Sequence, residues 1–356
     1  MGTFDENCRQ TFFRYHNKEG VLENESDTVG TPLHAFMQEW KNDEDYMMGN
    51  TSGSTGTPKP IRLSKKAMIA SAKLTNQYFH LQPGNTILLC LSTDYIAGKM
   101  VVVRAMVGGL RLVVCDVSRS PEWEGVIDFA AMVPMQVENV LKNCEEHNSH
   151  ISSIHSLIIG GSPLSETLYN KLADIEKVRS YITYGMTETL SHVAVAPIKK
   201  GENTPKYEAL PGIKFSKDDR ECLIITAPHL LEKPLATNDV VELEDSTHFI
   251  WKGRWDNVVN SGGVKLHPEQ IEKKLAPHIS HRFYLIGEPD DTLGSKLVLY
   301  IESEDDEKQE LERLKKATEG KLGKYEFPKE IIMVKKFQET DSGKIKRIHL
   351  NDPEQT

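Results

Sequence analysis

Short apolar runs alternate with helix-like stretches through the first two thirds of the sequence. The runs occupy residues 87–91, 110–114, 156–159 and 223–226 and consist largely of Leu, Ile and Val. Continuous apolar runs of this length are typical of strands that are buried on both faces of a sheet. Their alternation with helices predicts an α/β fold.

Two of the intervening stretches carry helix signals. Ser64 is a predicted N-cap, and the residues after it recur at helical spacing on one face: Ala67, Ala70, Ser71, Leu74 and Tyr78. A second helix is predicted from about Pro163 through residue 177. Both signals agree with the α/β interpretation.

The character of the sequence changes near residue 253, where Gly, Asn and Ser become frequent. Pro268 has the fixed φ that suits the first turn of a new helix. A strand candidate at 296–301 and a charged helix follow it. A chain of 356 residues is long enough for two domains. We predict a larger domain over 1–253 and a smaller one over 254–356.

Charge and composition exclude several classes of partner. Lys and Arg number 43 against 52 Asp and Glu, a net charge of -9, which repels nucleic acid and anionic membranes. The most apolar region, 86–115, is interrupted by charged residues, so no membrane insertion is predicted. The N-terminus lacks the basic and apolar stretches of a secretory signal, and the five cysteines are far apart. We therefore expect a cytoplasmic protein.

The segment 50–59 is rich in Gly, Ser and Thr and contains one lysine. Its candidate phosphate-binding residues are Thr51, Ser52, Gly53, Ser54, Thr55, Gly56, Thr57 and Lys59. Glycines allow consecutive N–H groups to converge on an anion. A Walker A loop requires Gly-Lys-Ser/Thr at the start of a helix, whereas Lys59 lies between two prolines and precedes a predicted strand. The segment is predicted to be a phosphate loop between strands; a disordered linker is the alternative.

This loop resembles the phosphate-loop signature of the acyl-adenylate-forming superfamily, which includes acyl-CoA synthetases, adenylation domains and luciferases. Further segments are similar to that superfamily's motifs and occur in its order. They are MVPMQ at 132–136, GGSPL at 160–164, YGMTET at 184–189, TND at 237–239, GRWD at 253–256 with SGGVK at 261–265, and TDSGKIKR at 340–347. The resemblance covers about residues 45–350, and so many motifs in one order are not expected by chance.

The resemblance implies a large N-terminal α/β domain with a reduced first subdomain, followed by a small mobile α+β domain. It also implies a two-step reaction that uses ATP, Mg²⁺ and coenzyme A. A carboxylic acid attacks the α-phosphate of ATP to form an acyl-AMP, and a thiol then attacks that intermediate. Catalysis of such a step depends mostly on positioning and on stabilising charge.

The resemblance assigns roles to individual residues. The catalytic residues are Lys344, Thr187 and Glu188, and Glu188 is also the Mg²⁺ ligand. The residues that contact adenine and ribose are Gly160, Gly161, Ser162, Tyr184, Gly185, Asp239 and Arg254. Asp256 is the hinge, and Gly262, Gly263 and Lys265 contact coenzyme A. Four of these have simpler alternatives. Glu188 resembles an acid near a helix N-terminus, Arg254 and Asp256 could pair on the surface, and Lys344 lies in a basic tail.

The acyl pocket is expected around residues 92–104, where a fatty-acyl ligase would be apolar. Its predicted members are Tyr95, Lys99, Arg104, Thr189 and Ser191. This segment and the compact length most resemble the o-succinylbenzoate–CoA ligase branch of the superfamily, whose substrate has a second carboxylate for Lys99 or Arg104 to bind. Surface positions for both cations are the alternative. Another aryl- or fatty-acyl–CoA ligase, a carrier-protein-loading enzyme and an inactive nucleotide-binding relative also stay open.

Two motifs depart from the superfamily pattern. The usual G-E-x-x-V-x-G strand pair is replaced by ECLIITAP at 221–228. Asn238 stands where the T-G-D motif has glycine, which places the local turn in question while Asp239 is retained.

Overall fold

The computed structural model describes residues 13–17, 20–22, 30–50, 60–144, 150–202, 204–304, 307–339 and 345–349. The helices are α1 (Pro32–Lys41), α2 (Lys65–Tyr78), α3 (Ile96–Gly108), α4 (Pro134–Cys144), α5 (Glu166–Ala173), α6 (Pro268–Leu275) and α7 (Glu307–Ala317). The first ten strands are β1 (Phe13–Asn17), β2 (Gly20–Leu22), β3 (Tyr46–Asn50), β4 (Pro60–Ser64), β5 (Thr86–Leu89), β6 (Arg111–Cys115), β7 (Ile127–Met132), β8 (Ile154–Ile159), β9 (Arg179–Gly185) and β10 (His192–Pro197).

In the second half of the described chain, strands outnumber helices. Its strands are β11 (Lys206–Ala209), β12 (Lys214–Lys217), β13 (Cys222–Thr226), β14 (Leu235–Leu243), β15 (His248–Arg254), β16 (Val259–Ser261), β17 (Val264–Leu266), β18 (Phe283–Asp290), β19 (Gly294–Glu302) and β20 (Glu330–Val334). Each of the four predicted apolar runs coincides with a strand, with bounds that differ by at most two residues. The α/β prediction is confirmed.

One large sheet contains the order β12-β13-β14-β15-β11-β10-β9-β8-β7-β5-β6-β1-β2. Pairing is parallel from β1 through β6, β5, β7 and β8 to β9, and antiparallel from β9 onward to β12. Because the carboxyl ends of the parallel strands share one edge, the segments after β5, β7, β8 and β9 are brought together there.

Helices cover both faces of the parallel region. Along β5, Ile87 and Leu89 pack into the core cluster that contains α1, α2 and α3, whereas Leu88 packs into the cluster that contains α4 and α5. Alternate side chains of a strand point to opposite faces, so these two clusters lie on opposite sides of the sheet. Burial on both faces explains why the strands are continuous apolar runs.

The capping hydrogen bonds show where the predicted helices begin. Ser64 caps α2 as predicted, since its Oγ accepts a hydrogen bond from the N–H of Ala67 at 3.4 Å. The helix predicted from about Pro163 through residue 177 runs instead from Glu166 to Ala173, so that prediction was wrong by three residues at its start and by four at its end. The Oγ of Ser165 accepts from the N–H of Leu168 at 3.2 Å, which makes Ser165 the N-cap. Pro268 begins α6 as predicted.

A second, smaller sheet follows the first. It contains β17-β16-β19-β18, with β20 paired to β19, and α6 and α7 contribute to its apolar core. The last strand of the large sheet ends at Arg254, and the first strand of the small sheet begins at Val259. The predicted boundary between residues 253 and 254 lies at the last residue of β15, and the two-domain division stays a prediction. No helix in the described ranges combines the length and apolar character needed to cross a membrane.

Candidate functional site

The predicted adenine segments lie at the carboxyl edge of the parallel strands. Gly160 directly follows β8, Gly185 ends β9, and these strands are neighbours. Both glycines permit a close approach of the chain: a Cβ on Gly160 would lie 2.3 Å from Oγ1 of Thr183, and one on Gly185 would lie 2.5 Å from the carbonyl oxygen of Ser191. Gly161 and Ser162 continue the exposed turn after β8.

A short 3₁₀ turn, Thr187–Thr189, follows β9 and carries the predicted metal ligand. The side chain of Glu188 is exposed, whereas Thr189 is fully buried. The hydroxyl of Thr189 accepts from the N–H of Met186 at 3.0 Å and lies 2.8 Å from the carbonyl oxygen of Ser191. Thr189, predicted in the acyl pocket, thus fixes the turn that presents Thr187 and Glu188.

Mg²⁺ is usually held by one or two carboxylates together with substrate phosphates, so a single exposed Glu188 suits it. Within the described ranges no cluster of three His, Cys, Asp or Glu residues could hold a metal by itself.

Asp239 is only 6% exposed and both of its carboxylate oxygens accept hydrogen bonds. The hydroxyl of Tyr184 donates to Oδ2 at 2.7 Å, and Nε1 of Trp251 donates to Oδ1 at 3.0 Å. Burial and the neighbouring carboxylate raise the pKa of Tyr184, so its hydroxyl stays protonated and continues to donate. Sequence reasoning missed Trp251; its position within the same short segment as Arg254 was the available signal.

Arg254 lies directly opposite Asp239 in the pairing of β14 with β15. Its Nη2 is 3.2 Å from Oδ2 of Asp256, and both side chains are about half exposed. This is the surface pair that the simpler alternative describes, and such exposed pairs stabilise proteins little. Oδ1 and Oδ2 of Asp256 also accept from Nδ2 of Asn238, at 3.4 and 3.2 Å.

The two candidate acyl-pocket cations are both buried on α3, so the expected surface alternative is wrong for each. Lys99 already has a partner, because its Nζ lies 3.7 Å from Oε2 of Glu39 and 5.4 Å from the ring centre of Phe36. Tyr95 is 69% exposed at the N-cap of α3 and does not share the buried position of the cations.

Arg104 differs from Lys99 because no carboxylate of the described residues pairs with it. It is 2% exposed, its Nη2 donates to Oγ of Ser191 at 2.6 Å, and its buried Nε has no hydrogen-bond partner among the described residues. Burial alone lowers the pKa of Arg104 to about 9. A buried cation with an unused donor is suited to receive an anionic ligand group.

His192 extends this group of polar residues, and sequence reasoning did not identify it. Its Nδ1 lies 3.2 Å from Oγ of Ser191, and its Nε2 lies 3.4 Å from Oγ1 of Thr75. Burial, and then the nearby Arg104, hold the pKa of His192 well below its usual value. A neutral imidazole therefore supports Ser191, which in turn contacts Arg104. In the sequence, only its position next to Ser191, a predicted pocket residue, pointed to His192.

Two predictions lie outside the described residues. One is the phosphate-loop segment 51–59; as predicted, strands flank it on both sides, and these strands, β3 and β4, pair with each other up to Asn50 and Pro60. Lys344 is also outside. The chain after it is held in place because Nη1 and Nη2 of Arg347 donate to the carboxylate of Glu272 at 2.7 and 2.8 Å.

The glycines predicted to meet coenzyme A have a structural reason of their own. Gly262 and Gly263 connect β16 to β17 with φ of 58° and 81°. Positive φ at both central residues of a two-residue hairpin turn favours glycine. Lys265 is exposed beside them, with its Nζ 5.3 Å from the ring centre of Trp255.

A family model described as AMP-binding enzyme matches residues 8–217, more than half of the chain. The chain belongs to the AMP-binding enzyme family. The model of the AMP-binding enzyme C-terminal domain matches residues 281–344. The fold and the expected superfamily resemblance are thus confirmed, and this protein is an AMP-binding enzyme of the acyl-CoA synthetase type.

Several relatives refine this placement. The 2-succinylbenzoate–CoA ligase of Listeria monocytogenes is 26% identical over 343 residues, covering 89% of this chain and 72% of that protein. That of Enterococcus faecalis is 25% identical, covering 83% of this chain and 67% of that protein.

Solved structures agree with this placement. An AMP-forming acyl-CoA synthetase/AMP-acid ligase II-like protein from Dyadobacter fermentans is 37% identical with a TM-score of 0.61, covering 88% and 91% of the two chains. The o-succinylbenzoate CoA synthetase of Bacillus subtilis, in complex with its acyl-adenylate OSB-AMP, has the same fold at 20% identity and a TM-score of 0.69. This chain covers 68% of that one.

Proposed function

We propose that this AMP-binding enzyme converts 2-succinylbenzoate to its coenzyme A thioester, a step of menaquinone biosynthesis, in the cytoplasm. Its relatives named 2-succinylbenzoate–CoA ligase support this substrate. The reaction needs ATP, Mg²⁺ and coenzyme A, and the free thiols of Cys90, Cys115 and Cys222 suit a reducing compartment.

The buried guanidinium of Arg104 carries the substrate assignment. 2-Succinylbenzoate has two carboxylates, one to be activated and one to be recognised. The second would pair with Arg104, whose Nε is unused and which no carboxylate of the described residues neutralises. Lys99, the other candidate, is already paired with Glu39. We therefore assign the distal carboxylate to Arg104, with Ser191 orienting the guanidinium.

The activated carboxylate attacks the α-phosphorus of ATP, a new oxygen–phosphorus bond forms, and pyrophosphate leaves to give an acyl-AMP. In this scheme residues 51–59 hold the β- and γ-phosphates, Lys344 bridges the carboxylate and the α-phosphate, and Thr187 orients the phosphates. Mg²⁺ held by Glu188 would neutralise the charge of the phosphates. The thiol of coenzyme A then attacks the acyl carbonyl: a carbon–sulfur bond forms, the thiol proton is released to solvent, and AMP leaves with the electrons of the broken carbon–oxygen bond.

Nucleotide binding would use the carboxyl edge of the sheet. Gly160, Gly161 and Ser162 would contact adenine, with Tyr184 and Gly185 beside it. Asp239 and Arg254 would bind the ribose hydroxyls. Asp256 would be the hinge between the domains 1–253 and 254–356, and Gly262, Gly263 and Lys265 would meet coenzyme A in the second step.

Pyrophosphate exchange with a panel of acids, with and without coenzyme A, tests the proposal. We expect exchange with 2-succinylbenzoate and release of its thioester. Arg104→Gln should weaken use of 2-succinylbenzoate by about two to four orders of magnitude, because an unpaired buried charge costs about 3–5 kcal/mol. Benzoate-like monoacids should be affected little, and Lys99→Gln is the matched control that leaves the preference unchanged.

Other outcomes would replace the proposal. Exchange with fatty or other aryl acids in preference to 2-succinylbenzoate would identify a different acid–CoA ligase. Acyl transfer to a carrier protein but not to coenzyme A would identify a carrier-loading enzyme.

A further inference from the structure

Asn238 stands where the T-G-D motif has glycine, yet the backbone there does not call for glycine. The residue lies within β14, and the positive-φ positions of the described chain do not include it. Replacement of glycine by asparagine therefore strains nothing and adds a side chain. The role of Asn238 therefore depends on the groups that its side chain contacts.

The amide of Asn238 joins two charged groups. Its Oδ1 accepts from Nη1 of Arg220 at 3.0 Å, and its Nδ2 donates to both oxygens of Asp256, at 3.2 Å for Oδ2 and 3.4 Å for Oδ1. Arg220 is itself oriented, because Oδ2 of Asp218 accepts from its Nε and Nη2 at 2.9 and 2.8 Å. The guanidinium can only donate, so it directs the amide oxygen toward itself and the amide N–H₂ toward Asp256.

Asp256 lies in the segment where the chain passes from one sheet to the other. It belongs to the short 3₁₀ turn Trp255–Asn257, between the end of β15 and the start of β16. Beyond this segment, Nε2 of Gln270 on α6 donates to the carbonyl oxygens of Trp251 and Lys252 at 3.2 and 2.9 Å. Asn238 thus contacts the segment that connects the two sheets, whereas Gln270 joins α6 to β15.

We propose that Asn238 is a positioning residue that holds the hinge segment, residues 254–260, in the orientation seen here. The proposal rests on the proposed function, in which Asp256 is the hinge and the domains exchange orientation between the two half-reactions. Asn238 immediately precedes Asp239, the proposed ribose acceptor. The proposed ribose site and the hinge therefore involve two consecutive residues of one strand.

Asn238→Ala tests the proposal because it removes the amide and keeps a β-strand-compatible residue. Loss of the amide's hydrogen bonds to Arg220 and Asp256 should increase amide exchange of residues 254–260 about threefold or more in ligand-free protein. The ratio of the adenylation rate to the rate of thioester formation from supplied acyl-AMP should also change about threefold or more. Asn170→Ala, on the exposed face of α5, is the matched control and should change neither quantity.

A charge swap separates this contact from a general loss of structure. Asn238→Asp places a carboxylate against Asp256 and should loosen the hinge further. Adding Asp256→Asn restores a hydrogen bond of reversed polarity and should return the exchange of 254–260 toward the wild-type value.

Unchanged exchange in Asn238→Ala, or a double variant no better than Asn238→Asp, would overturn the proposal. So would equal changes in both half-reactions. The exchange measurement needs no substrate. If wild-type enzyme used no 2-succinylbenzoate, the proposed function would fail while the role of Asn238 was still decided.

Discussion

The indole N–H of Trp251 donates a 3.0 Å hydrogen bond to Oδ1 of Asp239, twelve residues earlier in the chain. The hydroxyl of Tyr184 occupies the other oxygen at 2.7 Å. With two donors in place, the buried carboxylate has one orientation and keeps its remaining lone pairs for an incoming ligand. Asp239 is thus preorganised as a hydrogen-bond acceptor, which suits its proposed role in binding the ribose.

Trp251→Phe should raise the KM for ATP about tenfold, because it removes the indole donor and preserves an aromatic ring. Thioester formation from supplied acyl-AMP should have an unchanged kcat. Trp123→Phe is the matched control, since Nε1 of Trp123 donates to Oγ of Ser153 at 3.0 Å away from Asp239. An ATP dependence that is the same in both variants would show that Trp251 does not orient the ribose acceptor.

Lys99 and Glu39 should contribute to stability and not to the choice of acid. Their side chains are 8% and 32% exposed, so removing one partner leaves a poorly solvated charge. Glu39→Gln should lower the free energy of unfolding by about 1–3 kcal/mol, measured by urea denaturation. Glu138→Gln breaks the exposed pair with Lys142 and should cost under about 0.5 kcal/mol. A changed preference between diacids and monoacids in Glu39→Gln would contradict this assignment.

Lys344→Ala should separate the two half-reactions. We expect pyrophosphate exchange to fall by about two to three orders of magnitude, because a charge that stabilises the transition state is lost. Conversion of supplied acyl-AMP and coenzyme A to thioester should continue at a similar rate. Lys346→Ala, two residues away, serves as the control. Equal loss of both steps in Lys344→Ala would reject the proposed division of labour.

His192 should make stability depend on pH in the acid range. Its pKa in the folded protein lies below the unfolded value of about 6.5, so the unfolded chain binds the extra proton. Stability is therefore lost as pH falls below about 6.5, by about 1.4 kcal/mol per pH unit for one proton. As pH falls below about 6.5, the free energy of unfolding of the wild-type protein should decrease relative to that of His192→Gln by this amount per pH unit. A difference that stayed constant between pH 6.5 and 5 would show that His192 is protonated in the fold.

Local chemistry made much of the fold predictable. The strands are short apolar runs because both of their faces are buried, and Ser64 and Pro268 mark helix starts through capping and a fixed φ. The start of α5 was missed because proline at 163 and serine at 165 are both plausible start signals, and only the hydrogen bond of Ser165 decides between them. The family was also predictable from the sequence, because the motifs and their order can be read without the structure.

The site was predictable only as far as its residues act within a motif. Lys99 and Arg104 are cations on one helix, and the sequence offers no means of telling which is free. Packing decides it: α3 turns Lys99 toward Glu39 of α1 and Arg104 toward Ser191 at the start of β10. Trp251, His192 and the contact of Asn238 with Asp256 depend in the same way on strands brought together by tertiary structure. The sequence determined which groups are available, and the fold decided which of them keep an unsatisfied donor or charge, because pairing and burial arise between segments far apart in the chain.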